Sequence, residues 1–270
     1  SGTVESTAGT LKIDGETAGN VAFSNNAGGT FTHNNGLVDI TGTGNPEIND
    51  QGTNNLYNLE ISDGATWTNS LTIDNDLTVQ DYFREATNDP LTVTGDVLIE
   101  NSGLLSATGD SSTYTFGSLT INSGGTYSAT SGTTLINDET AGNLALDCDG
   151  TYTANSGLTK ITTTTTATDL QCSSGGLYDL EIDTSDLITW SPSAVTINND
   201  LTITGGTFRG ASSSSVLTVT GDVSVTGTLG RIEETNSMNF GSLTINSGGT
   251  YSATNGTTNV TNDINSTVGS

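Results

Sequence analysis

The sequence predicts an all-β protein, a β-solenoid built from a tandem duplication. Three observations predict it. Long stretches recur at a nearly constant offset, the recurring pieces read as short alternating strands, and apolar residues are too few for a thick core. FGSLTINSGGTYSAT at 116–130 recurs identically at 240–254. LYNLEI at 56–61 returns as LYDLEI at 177–182, and LTVTGDV at 91–97 returns at 217–223. LTIDNDLTV at 71–79 answers VTINNDLTI at 195–203, and TAGN at 17–20 returns at 140–143. Trp67 is matched by Trp190, and Phe83-Arg84 by Phe208-Arg209. The order is the same in both halves, and the offset stays at 121–126 residues. Self-similarity of this kind is the signature of a repeat architecture.

The ends extend the pattern. The opening SGTVESTAGTLKIDGETAGN aligns with GGTYSATSGTTLINDETAGN at 124–143. The tail GGTYSATNGTTNVTND at 248–263 aligns with the same segment. The chain therefore divides into a first unit (1–123), a second (124–247) and the start of a third (248–270), expected to form one continuous rod.

Within each unit, strands such as Leu201-Thr202-Ile203 and Leu217-Thr218-Val219 alternate apolar and polar residues. That period of two marks half-buried strands. Gly-Gly, Asn-Asp, Gly-Asp and Ser-Gly pairs punctuate them, and these are turn formers. No stretch has helical periodicity.

Composition supports the same architecture. Of 270 residues, 31% are hydrophobic and 13% charged, against about 45–50% and about 25% in ordinary domains. A solenoid core is a narrow column with one or two inward side chains per strand. Leu, Ile and Val fill it while Thr, Ser and Asn stack outside. Coils of roughly 20–25 residues would give about 11–12 coils. At ~4.8 Å per stacked strand, the rod would be roughly 50–60 Å long. The competing architecture is a pair of immunoglobulin-like sandwiches of about 120 residues each. Even turn spacing without long Greek-key connections argues against it.

Units such as FGSLTINSGGTYSATSGTT and HNNGLVDITGTG resemble the Thr/Gly/Asn-rich repeats of right-handed parallel β-helix proteins. Such repeats occur in bacterial and archaeal surface proteins, filamentous-haemagglutinin-like adhesins and phage fibres. The resemblance covers nearly the whole chain. It implies a right-handed parallel β-helix and an extracellular, cell-surface or virion-fibre location, and it implies no activity.

Charge excludes some functions. Five Lys+Arg against 30 Asp+Glu give a net charge of −25. A nucleic-acid binder needs clustered basic residues on phosphates, so no nucleic-acid partner is expected. No apolar run approaches the ~18 residues of a spanning helix, and no membrane insertion is expected. The opening Ser-Gly-Thr-Val suits a mature product after removal of a signal segment, or the ordered part of a longer chain.

Polysaccharide-degrading β-helix enzymes resemble one another in using Arg, Lys or metal-bound carboxylates in a groove. Here Lys12, Lys160, Arg84, Arg209 and Arg231 lie far apart in sequence, and −25 overall repels an anionic sugar. The Arg of each Phe-Arg pair is expected to cap a turn or to pair with a neighbouring carboxylate. Scattered Asp and Glu single out no catalytic carboxylate pair. His33, the only histidine, lies in a Gly/Asn-rich turn with no triad context. An enzyme is not expected, nor is a cofactor. Asp147 and Asp149, and Asp74 and Asp76, sit in oxygen-rich turns. These are candidate Ca²⁺ ligands, although Ca²⁺ takes six to eight oxygens and the competing reading is an Asx-type turn.

Cys148 and Cys172 are 24 residues apart, about one coil. Stacked coils place Cα atoms near 5 Å, inside the disulfide window, so the pair is a disulfide candidate; two buried thiols are the alternative. Flat Thr-x-Thr faces on solenoids resemble ice-binding surfaces, but the run Thr162–Thr166 is contiguous, which places alternate Thr on opposite faces. Thr-x-Thr pairs do not recur at a fixed coil spacing, and threonine is a good strand former in its own right. Asn255, Asn259 and Asn265 stand in N-glycosylation patterns, which arise easily by chance in an Asn/Thr-rich chain.

Solenoids usually cap their open ends, yet neither end shows a capping helix or a charge cluster. A second molecule is expected to continue the stack, with Ser1, Gly2, Thr3 and Val4 at one end and Val260, Ile264 and Val268 at the other. Such a contact is heterologous and builds an open filament unless the rotation closes. The expected function is a non-enzymatic structural subunit of an extracellular filament or fibre, assembling head to tail with itself. Cell-surface glycans or other surface proteins are further candidate partners. The alternative is the shaft of an adhesin or of a phage receptor-binding fibre. A polysaccharide-degrading enzyme is the least favoured reading.

Overall fold

The computed structural model describes residues 2–14, 20–42, 44–107, 111–137, 144–162, 168–172, 176–191, 194–212, 215–230 and 235–267. Among these residues every regular element is a β-strand and every strand pairing is parallel. The chain winds as a β-solenoid with three strand ladders running along its length, here called faces A, B and C.

Face A holds the longest ladder. It starts at Thr10–Ile13, climbs through Leu37–Ile40, Asn58–Ile61 and Leu77–Val79, and then takes the second halves of Leu91–Ile99 and Thr113–Ile121. It continues through Leu144–Cys148, Thr168–Cys172, Leu187–Trp190, Thr207–Gly210, Thr228–Leu229 and Thr250–Tyr251. Register partners on neighbouring coils lie 18 residues apart at Leu59 and Leu77, and 27 apart at Thr10 and Leu37. The extra length is carried in the turns, because each strand must present the same inward positions to its neighbour.

The duplication does not repeat on the same face. Thr10–Ile13 lies on face A, whereas its counterpart Thr133–Ile136 stacks on the first half of Thr113–Ile121, on face C. Trp67 lies on face B and its counterpart Trp190 on face A. Leu71–Ile73 lies on face C, and its counterpart Ala194–Ile197 belongs to the face B ladder. The step from Thr10–Ile13 to Thr133–Ile136 is five full coils plus two further faces, spread over 123 residues. Each copy is thus turned by one face, about a third of a revolution, relative to the last. The tail takes the same step again. Thr258–Val260, the third version of this strand, stacks on face B, and Ile264–Ser266 stacks on face C.

The core follows from alternation. In Leu71–Ile73 and Leu201–Ile203 the two apolar residues point inward and the central Thr outward. Aromatic residues form a contact series within the column. Trp67 packs on Phe83 with ring centroids 4.5 Å apart, and the series runs on through Tyr114, Phe116, Tyr127 and Tyr152. Buried tyrosines need a partner for the hydroxyl. Tyr127 finds it in Thr134, Tyr152 in Thr159 and Tyr251 in Thr258, each seven residues on and 2.6–2.8 Å away.

Four long strands, Leu91–Ile99, Thr113–Ile121, Val216–Val225 and Ser237–Ile245, run through two faces each. Each turns its corner at a glycine. Gly117 stacks on Gly95, and a Cβ on Gly117 would come within 2.5 Å of the Gly95 carbonyl oxygen. Gly241 over Gly221 repeats the arrangement in the second copy.

Candidate functional site

The structure joins Cys148 to Cys172 by a disulfide between adjacent coils, with Cα atoms 4.5 Å apart. The register of the two strands aligns Leu144 with Asp169, Leu146 with Leu170 and Cys148 with Cys172. The first copy has the same register, with the same irregularity. There Val21 aligns with Glu47, Phe23 with Ile48 and Asn25 with Asp50. In place of the bond, Asn25 donates its side-chain amide to Asp50 Oδ1 at 2.9 Å. Burial raises the Asp50 pKa, against the lowering effect of the Asn25 and Gly52 hydrogen bonds.

Carboxylates form ordered ladders at the corner where face C passes into face A. Asn58 Oδ1 accepts the Asp76 backbone N–H, Asp76 Oδ1 accepts that of Asp96, and Asp96 Oδ1 accepts the Ser118 hydroxyl. The second copy repeats this, turned by one face. Asp179 accepts from the Asp200 N–H, Asp200 from the Asp222 N–H, and Asp222 from the Ser242 hydroxyl. A hydrogen bond from backbone N–H to carboxylate is charge-assisted, so these residues pin the corners. The sequence signal for the ladder is the ordered recurrence of Asn-Asp, Gly-Asp and Gly-Ser at coil spacing.

The Ca²⁺ candidates separate accordingly. Asp76 belongs to the ladder, and its second oxygen accepts from the Asn75 amide at 2.9 Å. Asp74 accepts from Asn55 at 2.6 Å and lies 3.8 Å from His33 Nε2. The His33 ring stacks on Tyr57. Asp147 shares a shallow open groove of about 510 Å³ with Asp76, Asp96 and Ser118. Burial, then the nearby Asp149, raises its pKa. Asp149 accepts from Gln171 at 3.2 Å. Among the described residues, no three His, Cys, Asp or Glu side chains are grouped to hold a metal ion.

The described cations are dispersed. Lys160 bridges Glu181 at 2.9 Å and Asp183 at 2.7 Å on the outside of face C. In the first copy these positions are Asp39, Glu60 and Ser62, and the Ser62 hydroxyl donates to Asp39 at 2.8 Å with Glu60 within reach at 3.3 Å. Lys12 aligns with Asp39 on face A. Arg84 lies over the ring of Tyr82, 5.2 Å from its centroid, so an aromatic face takes the place expected for a turn cap or a carboxylate. Arg209 aligns with Thr189 on face A, and Arg231 lies outside the described residues.

At one end Thr3–Glu5 pairs only with Thr30–Thr32 among the described strands, and Val4 is 62% exposed. Gly2 is exposed as well. At the other end Ile264 is 68% exposed, and Val260 packs partly buried against the core. Ser1, Val268 and most of Thr162–Thr166 lie outside the described residues. Asn255, Asn259 and Asn265 are all exposed. No described helix is long and apolar enough to cross a membrane.

Site and fold together define a parallel β-solenoid whose described polar groups are organised mainly as ladders. Compared with known proteins, the chain matches no family model, no curated protein and no solved structure.

Proposed function

We propose that this chain is a non-enzymatic structural segment of an extracellular filament or fibre, and that a second copy continues the stack head to tail. One observation supports this above the others. The step from the first copy to the second and the step from the second copy into the tail are the same, five coils and two faces. The stacking surface therefore already recurs within one chain. Thr3–Glu5 at one end and Ile264–Ser266 at the other leave a strand edge without a described neighbour beyond them. Strand addition there supplies main-chain hydrogen bonds, and Val4 and Ile264 supply apolar area. The net charge of −25 on the sides keeps neighbouring rods apart. Cell-surface glycans and other surface proteins are further proposed partners.

Negative-stain microscopy and sedimentation over a concentration series test the reading. Filaments with an axial repeat of roughly 50–60 Å, set by strands ~4.8 Å apart, are expected. Val4→Asp or Ile264→Asp should shorten them. A strictly monomeric species at every concentration overturns the proposal.

A further inference from the structure

The tail carries a second kind of information, independent of the fibre reading. The chain has 27 asparagines, and Ser and Thr together make up 82 of its 270 residues. At that frequency about seven of the 23 asparagines before residue 255 would stand in the Asn-x-Ser/Thr pattern by chance. None does. All three instances fall at Asn255, Asn259 and Asn265. The chance origin expected from composition does not account for that distribution.

The interior relative of the tail shows how the pattern arose. SGTTLIND at 131–138 aligns with NGTTNVTND at 255–263. Asn255 replaces Ser131 and Asn259 replaces Leu135, and an inserted Thr261 completes the second pattern. The inward chemistry is unchanged: Thr258 still bonds the Tyr251 hydroxyl, as Thr134 bonds Tyr127. Inward, Ile136 becomes Val260, an exchange of one aliphatic side chain for another, and Asn255 and Asn259 stand at a turn and at an outward position.

The geometry places these asparagines where an added group costs little. Asn255 lies in the turn leading to face B. Asn259 lies on the outside of face B, above Asn239, to which it donates one exposed hydrogen bond of 2.8 Å. Asn265 lies on the outside of face C, above Thr244. The three therefore lie on one coil, at the turn into face B, on face B and on face C. The strand positions of Asn259 and Asn265 point sideways, away from the strand edges that face along the rod axis.

We infer that Asn255, Asn259 and Asn265 are N-glycosylation sites that cluster glycans on two faces of this coil, with the rest of the shaft bare of N-glycans. The co-substrate is a lipid-phosphate-linked oligosaccharide, delivered by an oligosaccharyltransferase. The asparagine amide nitrogen attacks C1 of the first sugar. The N–C1 bond forms and the C1–O bond to phosphate breaks. The lipid phosphate leaves with the electron pair, and the amide proton passes to a base.

Glycopeptide mapping of the full chain recovered from its producing cell, with intact mass, tests the inference. Glycan mass increments are expected on Asn255, Asn259 and Asn265 and on no other asparagine. Each single variant, Asn255→Gln, Asn259→Gln or Asn265→Gln, should remove one increment and leave the far-ultraviolet β signal unchanged. Unmodified mass at all three asparagines overturns it, as does a comparable load of N-glycan elsewhere. Polymerisation plays no part in the readout, so this inference and the fibre proposal fail separately.

Discussion

Asn25 and Asp50 occupy in the first copy the places that Cys148 and Cys172 occupy in the second. The strand register around both pairs is the same, including the irregularity three residues earlier in the first strand of each pair. One copy bridges the coils with a hydrogen bond, the other with a covalent bond.

That equivalence predicts an engineered bridge. Asn25→Cys with Asp50→Cys should oxidise spontaneously and close a 25-residue separation similar to the natural 24. Chain-entropy reasoning gives about 3 kcal/mol of stabilisation. Non-reducing mass analysis and denaturant midpoints check this. Two free thiols in the folded variant would show that the copies differ here.

The natural disulfide should behave as a local staple. Cys148→Ala with Cys172→Ala is expected to cost about 3 kcal/mol by the same reasoning, yet the β signal should persist in the absence of denaturant. The first copy already builds this junction without cysteine. Loss of the folded state would sink the prediction.

Trp67 and Trp190 bury their rings against Phe83 and Phe208, and neither indole N–H has a hydrogen-bond partner among the described residues. An unsatisfied buried donor costs about 1–3 kcal/mol. Replacement by Phe removes that cost and partly offsets the lost volume. Trp67→Phe and Trp190→Phe should each cost less than about 2 kcal/mol, against about 3–5 for Ala. Equal losses for Phe and Ala in equilibrium unfolding would contradict this.

Acidification should first strengthen the rod. Burial raises the pKa of Asp50 and Asp147, so the folded state binds their protons more tightly than the unfolded state does. Their effect on stability falls as pH climbs through that window and is recovered as pH drops. Asp183 runs the other way. The Lys160 hydrogen bond, then that of Thr204, lowers its pKa, so its contribution holds until pH falls through that depressed value. As pH falls from neutral towards the raised folded-state pKa values of Asp50 and Asp147, the net change should be a higher denaturation midpoint, and Asp50→Asn should reduce the difference. A midpoint that falls over this range would count against the assignment.

Gly117→Ala should be among the most damaging small substitutions, because its Cβ would meet the Gly95 carbonyl at 2.5 Å. A loss of more than about 2 kcal/mol is expected from overpacking against backbone. Ser118→Ala, next to it, removes only a hydroxyl bond to Asp96 and should cost about 1 kcal/mol.

Much of this was legible in the sequence. Period-two alternation in Leu-Thr-Ile and Leu-Thr-Val marked both the strands and their inward positions, because a strand has two sides. The spacing of Cys148 and Cys172 matched one coil. The carboxylate ladders were overlooked because Asp76, Asp96 and Ser118 lie 20 and 22 residues apart. They meet only when the coil length in that part of the rod is known.

The sequence by itself determined that the chain is a duplicated all-β stack with a thin core. The repeat offset and the alternation of side chains are one-dimensional properties. Only the tertiary structure decided which strands share a face. The strands of all three faces read alike, and the coil varies between 18 and 27 residues. The hydrogen-bond register between coils sums those lengths into five coils and two faces per copy. That sum turns Trp190 to a different side of the rod from Trp67 and sets the tail's three asparagines on one coil, across faces B and C.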